Sequence, residues 1–370
     1  MIYLNDNLIG VFHDATLAED LAAVDLTTLA TAESVVAQRD AERVLADYVN
    51  TGNPGAKAHC VMLKSGTQAL TLGLRALGVG PGDLVATSPW TFIATCSAIT
   101  NVGAQPMFVD VDPKRWTMSP EALAKTLADV NVKAVVPVDI FGVPADIDGI
   151  AAVCAEHHVP VLVDSCQSLG ATVDNVRVGA LPGATATAVS LYPTKPLGGH
   201  GEGGALFTAD TGLCEKVRRL ADHGGVQDGD RKQCMFPGDN GRADALLAAL
   251  QVARMRRADA DLAKRRQLLN VYAEELNGKC VFQQIPANVQ SAVHECQVAF
   301  VKPGLMEKLN EVINVRRLFA FTMNEQPLYA DNVNCSTAST IARKSFGLPV
   351  FPFIDADELR TTLKKVVNEL

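Results

Sequence analysis

Residues Ala188–Thr208 read AVSLYPTKPLGGHGEGGALFT, and the fold is read outward from this stretch. Ala188–Tyr192 is a short apolar run stopped by Pro193, the pattern of a buried strand that cannot be extended. Gly204–Thr208 resumes as a second strand. Lys195 stands between them, ahead of Gly198, Gly199, Gly201, Gly203 and Gly204, where backbone can approach a ligand closely. An amine forms an imine only when unprotonated, and burial favours that form. The stretch therefore suits Schiff-base chemistry; the alternative is a solvated loop lysine.

Upstream, His59–Leu63 is a short apolar run followed by Lys64-Ser65-Gly66-Thr67, which opens a helix with Leu70, Leu74 and Leu77 on one face. A helix start after a Gly-Thr turn leaves free backbone N–H groups that suit a phosphate, or else holds an ordinary N-cap threonine. Strands are read at Leu84–Thr87, Pro106–Val111, Ala134–Ile140 and Val159–Val163, and helices at Thr91–Thr100, Ser119–Leu127 and Ile147–His157. This alternation predicts a largely parallel sheet wrapped by helices. Asp164 and Gln167 follow the 159–163 strand, at the end where such sheets bind ligands; the alternative for Asp164 is a helix cap.

Ala32–Val49 and Leu213–Ala221 read as helices, and residues 223–242 as a loop containing Asn240. A long helical tract from about 243 to 276, with Leu262, Leu269, Tyr272 and Leu276 on one stripe, reads as a bridge into a second domain. Beyond it, strands are expected at Gln297–Val301 and Phe319–Thr322 and helices at Leu305–Ile313 and Asp355–Glu369. The organisation expected is an N-terminal segment over 1–50 that packs near the site, a large domain over 51–250 and a smaller one over 251–370.

Composition narrows the class. The chain has 370 residues, 48% hydrophobic and 20% charged, with a net charge of −8. That balance argues against a general nucleic-acid or anionic-membrane partner. Arg254, Arg256, Arg257, Lys264, Arg265 and Arg266 are interrupted by Asp259 and Asp261 and read as a solvated helix face. No apolar run reaches membrane-spanning length, and the N-terminus carries no basic region of a signal peptide, so a cytoplasmic protein is expected. The nine cysteines form no CxxC pair and read as reduced thiols, with no metal site.

Four sites thus fall on different loops of one sheet: Gly66-Thr67, Asp164/Gln167, Ser190/Lys195 and Asn240. Pyridoxal phosphate needs such a set: a lysine for its aldehyde, a carboxylate for its ring nitrogen, and helix-terminus N–H groups for its phosphate. From about Met62 to Leu276 the chain resembles the DegT-type sugar aminotransferases, a fold-type-I pyridoxal-phosphate family. The motifs are Ser65-Gly66-Thr67-Gln68-Ala69-Leu70, Gly80-Pro81-Gly82-Asp83, Trp90-Thr91-Phe92-Ile93-Ala94-Thr95 and Asp164-Ser165-Cys166-Gln167. They continue with Ser190-Leu191-Tyr192-Pro193-Thr194-Lys195, Gly201-Glu202-Gly203-Gly204 and Gly238-Asp239-Asn240-Gly241-Arg242, with a weaker echo at Phe346-Gly347-Leu348-Pro349.

The resemblance implies a mostly parallel seven-stranded sheet wrapped by helices, with a smaller C-terminal α+β domain. It implies pyridoxal 5'-phosphate bound to Lys195, which also moves the proton during catalysis. Asp164 would pair with the ring nitrogen and Gln167 with the ring's phenolic oxygen. Gly66, Thr67 and Ser190 would hold the phosphate, and Phe92 would stack on the ring. Asn240 would reach the neighbouring subunit's cofactor, making a homodimer with shared sites. The implied reaction moves an amino group from L-glutamate to a keto or aldehyde sugar, most simply nucleotide-linked. A cyclitol or other small keto acceptor, or a non-catalytic homologue that binds the cofactor, is the alternative. A Rossmann dehydrogenase lacks support, because no GxGxxG lies between the first strand and helix. The family often has histidine where this chain has Asp139, and asparagine where it has Pro196. The N-terminal segment and the part after 280 match poorly.

Overall fold

The computed structural model describes residues 16–24, 34–228, 231–330 and 334–368. Residues 1–15 and 25–33 of the N-terminal segment, including the first two residues of the helix read at Ala32–Val49, lie outside the described residues. So does Glu369 of the last helix. Helix α1 spans 16–22, and α2 is Ser34–Asn50.

Strand–helix alternation then builds the central sheet. β1 (His59–Leu63), α3 (Gly66–Ala76), β2 (Leu84–Thr87), α4 (Ile93–Asn101) and β3 (Gln105–Phe108) come first. They are followed by α5 (Pro120–Asp129), β4 (Ala134–Val136), α6 (Ile147–Glu156) and β5 (Leu162–Asp164). Two short strands, β6 (Thr172–Val173) and β7 (Val176–Arg177), precede β8 (Ala186–Ser190) and β9 (Gly204–Thr208). A four-stranded sheet β1-β9-β8-β5 and a three-stranded sheet β3-β2-β4 meet through parallel bridges Val135↔Val161 and Val138↔Asp164. Together they make one seven-stranded sheet in which β9 alone runs against its neighbours. The mostly parallel sheet expected from the alternation is present.

Side chains of successive strand residues point to opposite faces. Val61 and Leu63 join Leu70, Leu74, Val217 and Leu220 on one face, under α3 and α7 (Thr211–Ala221). Cys60, Met62 and Phe207 join Leu45 and Val49 of α2 on the other face. Over β2, β4 and β5 that second face is covered by Leu123 of α5 and Ile150 of α6. Both faces are therefore dry, which is why the strands read as unbroken apolar runs.

The remainder runs β10 (Gly225–Asp228), β11 (Arg231–Cys234), α8 (Ala245–Met255), α9 (Ala258–Glu275), β12 (Val281–Phe282) and β13 (Val289–Gln290). It ends with β14 (Cys296–Ala299), α10 (Leu305–Asn310), α11 (Ser336–Lys344), β15 (Phe346–Leu348) and α12 (Ala356–Asn368). Leu262 of α9 packs under the main sheet, whereas Leu268 and Tyr272 enter a separate core with Val298, Phe346 and Leu363. Helix α9 thus contributes to two cores.

Four local expectations are corrected. The 223–242 loop contains an antiparallel hairpin, because pairing Gly225–Asp228 with Arg231–Cys234 satisfies backbone groups that a polar sequence conceals. The 243–276 tract is two helices broken at Arg256 and Arg257, with no glycine or proline to announce the stop. Phe319–Thr322 is not a strand: Phe319 has φ +54°, and a short 3-10 turn follows at Met323–Glu325. The cap of α3 is Ser65, whose Oγ accepts from Gln68 N at 3.1 Å, so Thr67 lies inside the helix.

Phe207 is fully buried in the centre of the antiparallel strand. Phe207→Ala is expected to destabilise the protein by about 3–5 kcal/mol, read as a lower urea midpoint. An unchanged midpoint would contradict this packing.

Candidate active site

Strand β8 delivers Ser190 to the sheet edge, and the chain then turns sharply. Lys195 N donates to Tyr192 O at 2.9 Å, Gly198 N to Lys195 O at 2.9 Å, and Gly199 N to Leu191 O at 2.8 Å. Helix α8 fixes the turn from outside: Gln251 Nε2 donates to Leu197 O and Arg254 Nε to Gly198 O, each at 3.2 Å. Five residues past the lysine, His200 Nε2 lies 2.6 Å from Asp20 Oδ2 of α1. Arg257 grips the same carboxylate through both terminal nitrogens at 2.7 and 2.9 Å.

Lys195 lines a cavity of about 460 Å³ together with Gly66, Thr67, Phe92, Asp164, Gln167 and Ser190. Seven of the eight residues singled out from the sequence therefore meet in one space. Gly66 makes the convergence possible. A Cβ there would lie 2.7 Å from Cys166 Sγ and 2.9 Å from Ser190 Cβ, so only glycine lets the α3 terminus touch β8. Since Ser65 caps Gln68, the first N–H groups of α3 remain available at the cavity wall, where the helix dipole favours an anion.

Asp164 closes the floor and is only 5% exposed. Its Oδ1 accepts from Cys166 N at 3.1 Å and its Oδ2 from Thr95 Oγ1 at 2.6 Å. Thr91 Oγ1 lies 2.7 Å from Thr95 Oγ1, one helical turn away. Gln167 Oε1 accepts from Phe141 N at 2.7 Å, which leaves its amide nitrogen as the donor at the cavity. Asp139 does not line the cavity. It accepts from Ser165 Oγ at 2.6 Å, Ser168 Oγ at 2.7 Å and Ala145 N at 2.7 Å, and so braces the turn that carries Asp164 and Gln167. Its complete burial pushes its pKa up to about 6, against the pull of those donors.

Asn240 is the exception. It is exposed and lines a neighbouring hollow with Lys64, Arg242 and Asp244; Glu202 borders both spaces. The simpler role, capping the next helix, is excluded, because Asp244 caps α8 by accepting from Leu246 N and Leu247 N at 2.9 and 3.2 Å. Phe92 is 52% exposed, with its ring 6.0 Å from that of Phe319.

The opposite wall was not foreseen. It is made by His294, Glu295, Arg316, Leu318, Phe319 and Phe351, with Tyr192 and Thr194 beside the lysine. Two signals were available in the sequence. Thr91 and Thr95 stand four apart within the helix read at Thr91–Thr100, although Thr91 precedes α4, and Glu295 stands two residues before Gln297 at the entry to β14.

Burial holds the Lys195 amine below the ordinary lysine range, despite the opposing pull of Cys166, Asp164 and Glu295. Burial also pushes Glu295 up to about 8, against Arg316, Lys195 and Arg265, and drives His294 well below its usual value. The cavity thus offers a buried amine whose charged form burial disfavours, a hydrogen-bonded carboxylate, a helix N-terminus and a polar far wall. No group of acidic, histidine or cysteine residues able to hold a metal occurs among the described residues.

The profile of the DegT/DnrJ/EryC1/StrS aminotransferase family matches residues 37–367. The UDP-2-acetamido-2-deoxy-3-oxo-D-glucuronate aminotransferase of Pseudomonas aeruginosa is 30% identical over 337 residues, covering 88% of each chain. The UDP-N-acetyl-3-dehydro-α-D-glucosamine 3-aminotransferase of Acidithiobacillus ferrooxidans is 33% identical over 307 residues, covering 82% of each. Among solved structures, a DegT DnrJ EryC1 StrS aminotransferase from Brucella abortus superposes with a TM-score of 0.84 at 27% identity, covering 98% of this chain and 96% of that one.

Because burial favours the neutral amine, Lys195 in the ligand-free protein should react with acetic anhydride at lower pH than surface lysines do. Competitive labelling read by peptide mass spectrometry checks this. A Lys195 profile that coincides with those of surface lysines would contradict the electrostatics.

Proposed function

As this chain belongs to the DegT/DnrJ/EryC1/StrS aminotransferase family, we propose that it transfers an amino group from L-glutamate to the ketone of a nucleotide-linked sugar. The observation that carries the reading is the buried Lys195 amine, sharing one cavity with the Asp164 carboxylate and the start of α3. The sugar acceptor is supported by the relatives named for UDP-linked 3-keto sugars, which match along most of the chain.

Pyridoxal 5'-phosphate, when bound, supplies an aldehyde that links to an amine and a ring that spreads negative charge. The donor set fits it. Lys195 Nζ, whose pKa burial lowers from the ordinary lysine value, is the nucleophile and afterwards the base that takes and returns a proton. Asp164, held by Thr95 and the Cys166 N–H, is oriented to keep the ring nitrogen protonated. The Gln167 amide nitrogen donates to the phenolic oxygen. The N–H groups of Gly66 and Thr67, with the Ser190 hydroxyl, bind the phosphate. Phe92 covers the ring face. Asp139 acts on Asp164 through Ser165 and the intervening turn, in the place where relatives often carry histidine.

We assign Asn240 to the cofactor site of a second copy in a two-fold dimer. Its exposure at a hollow beside the cavity, and the loss of its capping role to Asp244, support that reading. A two-fold axis would make the exchange reciprocal. We read α1, tied to His200 by Asp20, as part of an N-terminal segment that covers the site, and the two cores joined by α9 as a large and a smaller domain. The cytoplasm is the proposed compartment; no disulfide joins any of the nine cysteines, all of which are among the described residues, as suits a reducing environment. Among the described residues no helix is long and apolar enough to cross a membrane.

Lys195→Ala should abolish turnover and the borohydride-reducible link to the cofactor. Asp164→Asn, which keeps the shape but not the charge, should fold normally and lose roughly a hundredfold or more in rate, about 2.7 kcal/mol or more of barrier. Reduction that labels another lysine, or near-normal turnover of either variant, would refute the assignments. A panel of keto-sugar nucleotides, including the two UDP-3-keto sugars named above, tests the acceptor: one of them should reoxidise the amino form of the cofactor.

The shared site is tested in a heterodimer of Lys195→Ala and Asn240→Ala subunits. The only site keeping Lys195 then lies in the Asn240→Ala subunit, and its asparagine comes from the partner if the residue acts across the interface. That site should bind cofactor as tightly as wild type. Weakened binding there, or an active monomer by sedimentation, would exclude the exchange.

A further inference from the structure

We propose that Glu295 is a specificity-determining residue for the acceptor, its carboxyl taking a hydrogen bond from a hydroxyl of the sugar. The inference rests on the sugar acceptor argued above. Glu295 lines the same cavity as Lys195, on the wall contributed by the second core. Its Oε2 is buried and has no hydrogen-bond partner among the described residues. Both amide atoms of Gln297, two residues along the same strand face, are also buried without partners. A buried polar atom left unpaired costs roughly 1–3 kcal/mol, so three in one place call for a ligand or trapped water.

The local backbone makes room for the group. The β14–β15 register sets Gln297 opposite Gly347. A Cβ on Gly347 would fall 1.9 Å from Glu295 Oε2 and 3.1 Å from Gln297 Oε1, so the carboxyl occupies the space of the missing side chain. On its other edge Gly347 is paired to Arg316, N–H to O at 2.7 Å and O to N–H at 3.0 Å. Glu295 immediately precedes β14, and its carboxyl rests against the paired strands there, which suits a group that must hold one position.

The chemistry selects the sugar over the amino donor. L-glutamate brings two carboxylates, which only accept hydrogen bonds and so cannot donate one to a carboxyl oxygen. A sugar brings hydroxyls, each able to donate to the carboxyl and to accept in return. Burial keeps Glu295 largely protonated at neutral pH, so both halves of that exchange are available.

The test separates the two half-reactions by following the visible absorbance of the bound cofactor. With the panel sugar that wild type accepts best, Glu295→Ala should raise the acceptor half-saturation about tenfold, and the half-reaction with L-glutamate should stay within about threefold. Glu295→Gln should recover most of the loss. Glu295→Met preserves volume and should behave like the alanine variant if the latter folds poorly. Calorimetric titration of each variant with the aminated UDP sugar gives the same comparison without turnover. An unchanged acceptor half-saturation in the alanine and methionine variants, or equal losses in both half-reactions, would overturn the role of Glu295 alone. If wild type takes amino groups from L-glutamate and passes them to no panel sugar, the acceptor reading falls, and this inference with it.

Discussion

The contact on which the rest depends is the approach of Gly66 to Ser190 and Cys166. A single methyl group on Gly66 would collide with both. With glycine there, a helix N-terminus, the end of β8 and the turn after β5 converge on one point. Three electrostatic elements then share a space of about 460 Å³: oriented N–H groups, a buried amine and a buried carboxylate. Each alters the others. The amine is favoured as neutral by the same burial that makes unpaired charge costly, and the carboxylate is tolerated because Thr95 and the Cys166 N–H satisfy it.

Support for this point comes in shells. The turn carrying Asp164 and Gln167 rests on Asp139, which gathers two serine hydroxyls and a backbone N–H. The lysine turn rests on Gln251 and Arg254 of α8 and on the Asp20–His200–Arg257 cluster. Arg254 is itself paired to Asp261 of α9 at 2.7 Å. The helix that joins the two cores is thus coupled through one arginine to the loop beside the reactive amine. Trp90 works similarly from the other side: it stands edge-on to Phe141 at 5.2 Å and donates from Nε1 to Phe319 O at 2.9 Å, which fixes the far wall against the main sheet.

The division of labour follows from these shells. The main sheet supplies the groups proposed to hold the cofactor, all at strand ends or helix starts. The second core supplies His294, Glu295, Arg316 and Phe351, which face them across the cavity. The first set is fixed by what pyridoxal phosphate requires. The second is free to vary with the acceptor, and there the unsatisfied atoms of Glu295 and Gln297 are found.

The sequence by itself determined the main sheet and most of the cofactor side of the site. Strand buried on both faces and helix buried on one leave different periods, and glycine, proline and serine mark where they end. All seven strands were therefore legible, as were Lys195 and Asp164 at strand termini. Tertiary structure alone decided the rest, for reasons of distance along the chain. Nothing near Arg256 stops a helix; the break places Arg257 on Asp20, 237 residues away. Nothing near Phe319 forbids a strand; its carbonyl is claimed by Trp90. Asn240 could have capped a helix until Asp244 took that position. Glu295 lies in sequence just before the strand read at Gln297–Val301 with nothing to single it out, and its carboxyl is buried only because Gly347, 52 residues later on β15, leaves it space. Local patterns record which face of an element is dry, and only the packed chain sets which distant side chains that face meets.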